Sequence, residues 1–163
     1  MRKLGMTALC LGMLLLLSNV GFSQSFVNST CNAAGSILSV KNTTSGKYEY
    51  VTFRVKKPLQ ANYGYSITTV SGSTFVEDPS GDTITVTGSR FKKIRFRGVY
   101  WTCQINEILS LPKFIIKDIK RIKQYEGIVE YVVGYRNPPA KFLGSYSVNS
   151  STVRSVVMVF RRY

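Results

Sequence analysis

Short runs in which apolar and polar side chains alternate recur along this chain about every ten residues. Residues 48–55 are the clearest case, because Val51, Phe53 and Val55 are separated by polar or aromatic residues. A period of two places such residues on opposite faces of a half-buried strand. The other runs are residues 37–40, 63–70, 83–87, 91–97, 128–135, 142–148 and 152–161. Turn-forming residues separate these runs, so the sequence predicts an all-β protein, an antiparallel β-sandwich or open barrel of seven to nine strands.

Residues 114–123 fit two structures. Ile115, Ile119 and Ile122 recur at helical spacing. Equally, Ile115, Lys117, Ile119 and Arg121 could form one face of a strand. The β-branched content favours a strand. The segment is therefore the ninth strand or part of a single helix within residues 104–124.

The first 23 residues have the layout of a secretory signal peptide. Arg2 and Lys3 precede an apolar run over residues 4–17, and small residues follow before a cleavage position ahead of Gln24. A membrane-spanning helix needs about 20 apolar residues, which favours a cleaved segment over a retained anchor. The sequence thus predicts a signal helix outside the domain at 1–23, an irregular lead-in at 24–35 and one β-sandwich domain at 36–163. The mature protein is then secreted or periplasmic, without a transmembrane anchor.

The predicted compartment indicates the redox state of the cysteines. Cys10 leaves with the signal, and Cys31 and Cys103 remain as an even pair in an oxidising compartment. The sequence predicts a disulfide between them, with two free buried thiols as the alternative. The chain has no histidine, and two cysteines alone make a poor zinc site, so no metal or other cofactor is expected.

Four segments resemble the AMIN-like domain of secreted bacterial proteins. Residues 45–55 are similar to the family's G-x-YDRVVF-type strand, and residues 125–135 to its F-E-G-x-x-x-Y-x-x-G-L segment. Residues 81–88 stand where the family has a strand before a polar edge, and residues 152–160 where it has R-x-V-V-D-V. The resemblance covers nearly all of the mature chain. It implies a β-sandwich and kinship with the AMIN modules that hold cell-wall amidases at peptidoglycan.

Catalysis is not expected from these residues. The lack of histidine excludes Ser-His-Asp and Cys-His nucleophile schemes. Paired carboxylates are the remaining route, and Glu126 and Glu130, four residues apart, would share a face if both lie on a strand. A small secreted carbohydrate-active hydrolase that uses this pair is therefore the alternative function. A structural or partner-binding envelope protein is a third possibility.

Basic charge is the stronger functional signal. The chain has 22 basic and 8 acidic residues, and 20 basic residues remain after removal of Arg2 and Lys3, a net charge of about +12. Lys93, Arg95 and Arg97 alternate with apolar residues, so they predict one strongly basic strand face. A second basic cluster lies within residues 113–123.

Tyr100 and Trp101 follow the basic strand and add aromatic contact area. We therefore predict a ligand site at Lys93, Arg95, Arg97, Tyr100 and Trp101. Solvated strand faces that discourage aggregation are the plainer explanation for this charge. Nucleic acid is disfavoured by the predicted secretion. The sequence thus favours a secreted, non-catalytic domain that binds an anionic cell-envelope glycan such as peptidoglycan, with an envelope protein as a second partner class.

Overall fold

The described part of the chain is built from β-strands and contains no helix. The computed structural model describes residues 25–27, 33–99, 109–110 and 114–163. Ten of its strands form two five-stranded sheets, two more form a small hairpin, and every paired strand runs antiparallel to its neighbour. The predicted all-β antiparallel fold is confirmed.

The chain builds the sheets in blocks: it begins in sheet 1, continues through sheet 2 and returns to sheet 1 with its last two strands. Sheet 1 has the spatial order β1 (Ser25–Val27), β2 (Ile37–Ser45), β3 (Tyr48–Lys56), β12 (Val153–Arg162) and β11 (Ala140–Asn149). Sheet 2 has the order β4 (Gly64–Val70), β7 (Arg90–Arg97), β10 (Ile128–Tyr135), β9 (Ile116–Tyr125) and β8 (Leu109–Ser110). The hairpin consists of β5 (Thr74–Val76) and β6 (Thr83–Thr85).

The two sheets pack face to face as a β-sandwich. The inward residues of β3 and β7 meet at its centre, where the Phe53 ring lies 5.3 Å from Phe96 and 5.2 Å from Tyr131. Tyr135 and Phe160 make a similar contact at 5.1 Å farther along. Offset aromatic pairs at these distances stabilise beyond the area that they bury. The alternation predicted for residues 48–55 and 91–97 therefore gives each sheet its inner face.

Two tight turns connect neighbouring strands as hairpins. Gly46 has a φ of 56° at the turn between β2 and β3, and Glu126 and Gly127 have φ values of 49° and 74° between β9 and β10. The β9–β10 turn, with positive φ at both central residues, follows the type I′ pattern, and the β2–β3 turn, with positive φ at the first central residue alone, follows type II′. Both types have a twist that matches that of the strands. These turns fix the register of β2 with β3 and of β9 with β10.

The β5–β6 hairpin covers part of the outer surface of sheet 2. Phe75 and Ile84 pack there on Phe91 and Val132, which form a second small core. Strand β10 is consequently buried on both faces, since its alternate residues reach the main core and this second one. The chain after β6 presses so closely on β10 that a Cβ at Gly134 would lie 2.1 Å from the Thr87 carbonyl oxygen.

Residues 116–125 form a strand, which decides the alternative left open by the sequence. The isoleucines recur at helical spacing because β9 has two bulges opposite β10, one at each register shift. A bulge inserts an extra residue and so breaks the period of two. Ile116 and Ile119 therefore both reach the main core, whereas Ile122 joins the second core.

Twelve strands are described, against seven to nine predicted. The three additional strands, β1, β5 and β8, have two or three residues each, which is too short for alternation to show. Strand β1 falls within the predicted lead-in and pairs with β2. The predicted signal helix lies outside the described residues, as do Cys31 and Cys103, so their disulfide stays a prediction.

Candidate functional site

The predicted basic strand face exists, on the outer surface of sheet 2. Ile94 and Phe96 are buried in the main core, whereas Arg95 and Arg97 are exposed on the other side of β7, with Lys93 beside them half-buried. This alternation is confirmed. Tyr100 and Trp101, the aromatic half of the predicted site, lie outside the described residues.

A buried carboxylate neutralises part of this basic face. Glu130 on β10 lies directly opposite Arg95, and its oxygens are 3.4 Å from Arg95 Nε and 3.3 Å from Lys93 Nζ. The Glu130 side chain is only 8% exposed, so its charge is poorly screened by water and acts strongly on both cations. Among the described residues, Arg97 makes no ion pair.

Three further acids accompany the cations on this side of sheet 2. The pairs are Asp118 with Lys120, Glu77 with Arg121, and Asp78 with Lys123. Asp118 also accepts the backbone N–H of Thr87 at 3.0 Å, which ties the end of the hairpin to β9. The hydrogen bond to Asp78 is the main cause that raises the pKa of the Lys123 ammonium. Most cations here thus have a structural partner already.

The predicted carboxylate pair does not form. Glu126 lies in the turn between β9 and β10, whereas Glu130 lies within β10 and is held by Lys93 and Arg95. The condition for a shared face, that both residues lie on a strand, is not met, because Glu126 is itself a residue of the hairpin turn. Groups of three or more histidine, cysteine, aspartate or glutamate side chains that could hold a metal are absent from the described residues.

The outer surface of sheet 1 carries a different set of residues. We call it the open face and define it by the outward residues of β2, β3, β12 and β11, which form four rows across the strands. The rows, read from β2 to β11, are Ser45, Tyr48, Arg161 and Lys141; Thr43, Tyr50, Val159 and Gly144; Lys41, Thr52, Val157 and Tyr146; and Ser39, Arg54, Ser155 and Val148. Of these residues, Ser39 and Val157 are buried and the others are at least partly exposed.

Aromatic and apolar side chains run diagonally across the open face. Tyr48 is 38% exposed, Tyr146 48% and Val148 55%, so all three can contact a ligand. The Tyr48 and Tyr50 rings lie 6.4 Å apart and are tilted by 33°. Tyrosine side chains offer a broad apolar surface and a polar hydroxyl, and they lose little conformational entropy when a ligand binds.

The cations of the open face have no acidic partner among the described residues. They are Lys41, Arg54, Lys141 and Arg161. The strands of sheet 1 contain a single carboxylate, Glu49, and it points inward, where its two oxygens accept the N–H groups of Ile115 and Ile116 at 2.7 and 2.8 Å. The open face is therefore positive without internal compensation.

Sequence reasoning did not find this face, because its residues come from two strand pairs, β2–β3 and β11–β12, that are far apart in the chain. One sequence signal could have indicated it. Residues 37–56 and 140–162 contain many cations but, apart from Glu49, no acid. Which of these residues share a face became clear only from the strand register.

Comparison of the chain with protein-family models, with curated proteins and with solved structures finds no match. Within the described residues, no helix has the length and apolar character needed to cross a membrane.

Proposed function

We propose that this protein is a secreted or periplasmic, non-catalytic binding domain for an anionic cell-envelope glycan such as peptidoglycan, and that the open face is its binding surface. The observation that carries this proposal is the combination of tyrosines and uncompensated cations on one sheet surface. A binding site on the predicted residues of β7 is less favoured, since Lys93 and Arg95 already form ion pairs with Glu130.

Charge and shape both support a glycan polymer as the ligand. An extended chain of sugars can lie along a sheet surface, with its apolar ring faces on Tyr50 and Tyr146 and its acidic groups near Arg54 and Lys41. A cation that has no internal partner gains more from a bound anion than one that must first give up a carboxylate. Cations spread over four neighbouring strands suit a repeating polymer better than a compact ligand.

The location rests on the sequence. The signal-like residues 1–23 predict export, and the resemblance to the AMIN-like domain implies a peptidoglycan-directed module. The alternatives are a hydrolase and a partner-binding envelope protein, and neither has a described residue cluster in its favour.

A pull-down with purified peptidoglycan tests the proposal. We expect retention at about 50 mM salt and release at about 500 mM, because exposed charges are strongly screened at the higher concentration. Tyr50→Ala and Arg54→Gln should each reduce retention about tenfold, the effect of losing about 1.4 kcal/mol of binding free energy.

Arg97→Gln is the matched control, since it removes the same charge from the opposite side of the sandwich. It should leave retention unchanged. The proposal fails if wild-type protein is not retained at low salt. It also fails if Arg97→Gln or Lys93→Gln releases the protein while Arg54→Gln does not, because the β7 surface would then be the binding site.

A further inference from the structure

A basic cleft, distinct from the open face, lies at one end of the sandwich. It is a cleft of about 420 Å³, between the start of β9, the loop after β10 and the end of β12. Its lining includes Phe114, Lys117, Arg136, Pro139, Ala140 and Arg162. Three of these six side chains are cations, and none is an acid.

The backbone at the edge of this cleft is held in an uncommon conformation. Phe114 has a φ of 49°, a region that bulky side chains rarely adopt. Glu49 holds the following backbone through the N–H groups of Ile115 and Ile116, and Arg136 N–H donates to the Ile115 carbonyl at 2.9 Å. Such strain persists only where the surroundings impose it, and it concentrates at ligand sites.

This arrangement presents an aromatic ring at the edge of the cleft. The Phe114 side chain is 55% exposed, although a phenylalanine in a β-sandwich would ordinarily be buried. The Arg162 guanidinium lies over the Phe114 ring, 5.9 Å from its centroid. The ring therefore has an apolar surface beside a cation.

The cations of the cleft are not paired within the described residues. No acid lies within ion-pair distance of Lys117, Arg136 or Arg162 there. Glu49 lines an adjoining depression that shares Phe114 and Arg162 with the cleft, and both of its oxygens are bonded to backbone N–H groups. Three cations around one cavity repel each other unless an anion lies between them.

We infer that this cleft binds an acidic sugar unit, a single sugar ring that carries a carboxylate or a phosphate. The ring would pack on Phe114, and the acidic group would receive hydrogen bonds from Arg136, Lys117 and Arg162. Guanidinium groups bind both carboxylates and phosphates through paired N–H donors. A volume of about 420 Å³ is within the usual range for small-ligand sites. This inference goes beyond the proposed function, because the cleft is a separate site of different shape from the open face.

Titration by ¹H–¹⁵N NMR tests this site with defined probes. The probes are D-glucuronate, D-glucose 6-phosphate, neutral D-glucose, acetate and inorganic phosphate. We expect one of the two acidic sugars to shift the amide signals of Ile115 and Ala140 in a saturable way, at least tenfold more tightly than D-glucose or the simple anions. A preference for glucuronate over glucose 6-phosphate identifies a carboxylate ligand, and the reverse identifies a phosphate.

Variants locate the binding. Arg136→Gln and Lys117→Gln should each weaken the preferred sugar about tenfold, whereas Arg97→Gln should not change its affinity. Both variants alter partly exposed side chains, and their spectra report directly whether the fold is intact. Arg136→Gln should retain peptidoglycan binding through the open face, so failure of this inference is distinguishable from failure of the proposed function.

Three results overturn the inference. The first is the absence of saturable shifts with both acidic sugars. The second is equal affinity for acetate or inorganic phosphate, which would show that the Phe114 ring contributes nothing. The third is a set of shifts confined to the open face.

Discussion

Both outer surfaces of this sandwich carry several cations, yet they differ in how many of those cations have an acidic partner among the described residues. On sheet 2, Glu130 lies between Lys93 and Arg95, and the β5–β6 hairpin covers the neighbouring apolar residues. On the open face of sheet 1, Arg54 and Lys41 have no acid beside them among the described residues. A count of basic residues in a segment therefore overstates the charge that a ligand can use.

The difference arises from strand pairing. Arg95 meets Glu130 because β7 pairs with β10, although the two residues are 35 positions apart in the chain. Arg54 instead lies beside Ser39 and Ser155 on the neighbouring strands. Charge compensation on a sheet is thus decided across strands rather than along them.

The largest expected effect is the loss of stability in a variant that disrupts the contact between sheet 2 and the segment after β6. Gly134→Ala places a Cβ 2.1 Å from the Thr87 carbonyl oxygen, and this backbone atom cannot move aside as the end of a flexible side chain could. We expect the free energy of unfolding to fall by about 3 kcal/mol, measured by urea denaturation. Gly144→Ala is the control on the open face, where a Cβ has free space. It should cost about 1 kcal/mol, from backbone strain alone, and equal losses in both variants would contradict the close contact.

Glu130→Gln should make the sheet 2 surface resemble the open face. Removing the carboxylate leaves Lys93 and Arg95 adjacent without compensation, so we expect a loss of about 2 kcal/mol in unfolding free energy. Added salt should restore part of that loss by screening the two cations. Glu126→Gln, in an exposed turn, should change stability by less than about 0.5 kcal/mol. A Glu130→Gln variant as stable as wild type would show that the ion pairs contribute little.

The converse change introduces an acid on the open face. Thr52 lies directly opposite Lys41, so Thr52→Glu supplies the partner that this cation lacks. Stability should stay within about 0.5 kcal/mol of wild type, while retention on peptidoglycan at low salt should fall about tenfold. Thr52→Gln has nearly the same size without the charge and should bind as wild type does. If both variants bind equally well, charge on this face does not serve the ligand.

The smallest effect concerns the pH dependence of the Lys123–Asp78 pair. Because the hydrogen bond to Asp78 raises the pKa of Lys123, the folded protein holds this proton more tightly than the unfolded chain. The resulting stabilisation is fully present below about pH 10.4 and is lost as pH rises through the folded-state pKa. Wild type should therefore lose more unfolding free energy between about pH 9 and about pH 11 than Lys123→Met does. Asp78→Asn should match Lys123→Met, and an equal loss in all three proteins would exclude this contribution.

Much of the fold was predictable because alternation is a local property. The faces of β3 and β7 followed from residues two positions apart. Strand β9 was ambiguous because its bulges, which depend on pairing with β10, moved Ile116 and Ile119 to the same side. The candidate site was less predictable. The basic face of β7 was found from the sequence, but Glu130, which pairs with it, was considered only as half of a catalytic carboxylate pair.

The sequence by itself determined the all-β class, the inner faces of β3 and β7 and the excess of positive charge, because composition and period can be read without knowing a strand's neighbours. Tertiary structure alone decided which of those charges stay uncompensated. Pairing of β7 with β10 placed a carboxylate beside Arg95, and the assembly of β2, β3, β12 and β11 brought together tyrosines and cations with no acid among them. Charges interact through space, so their availability depends on register and packing, which no single segment of the chain contains.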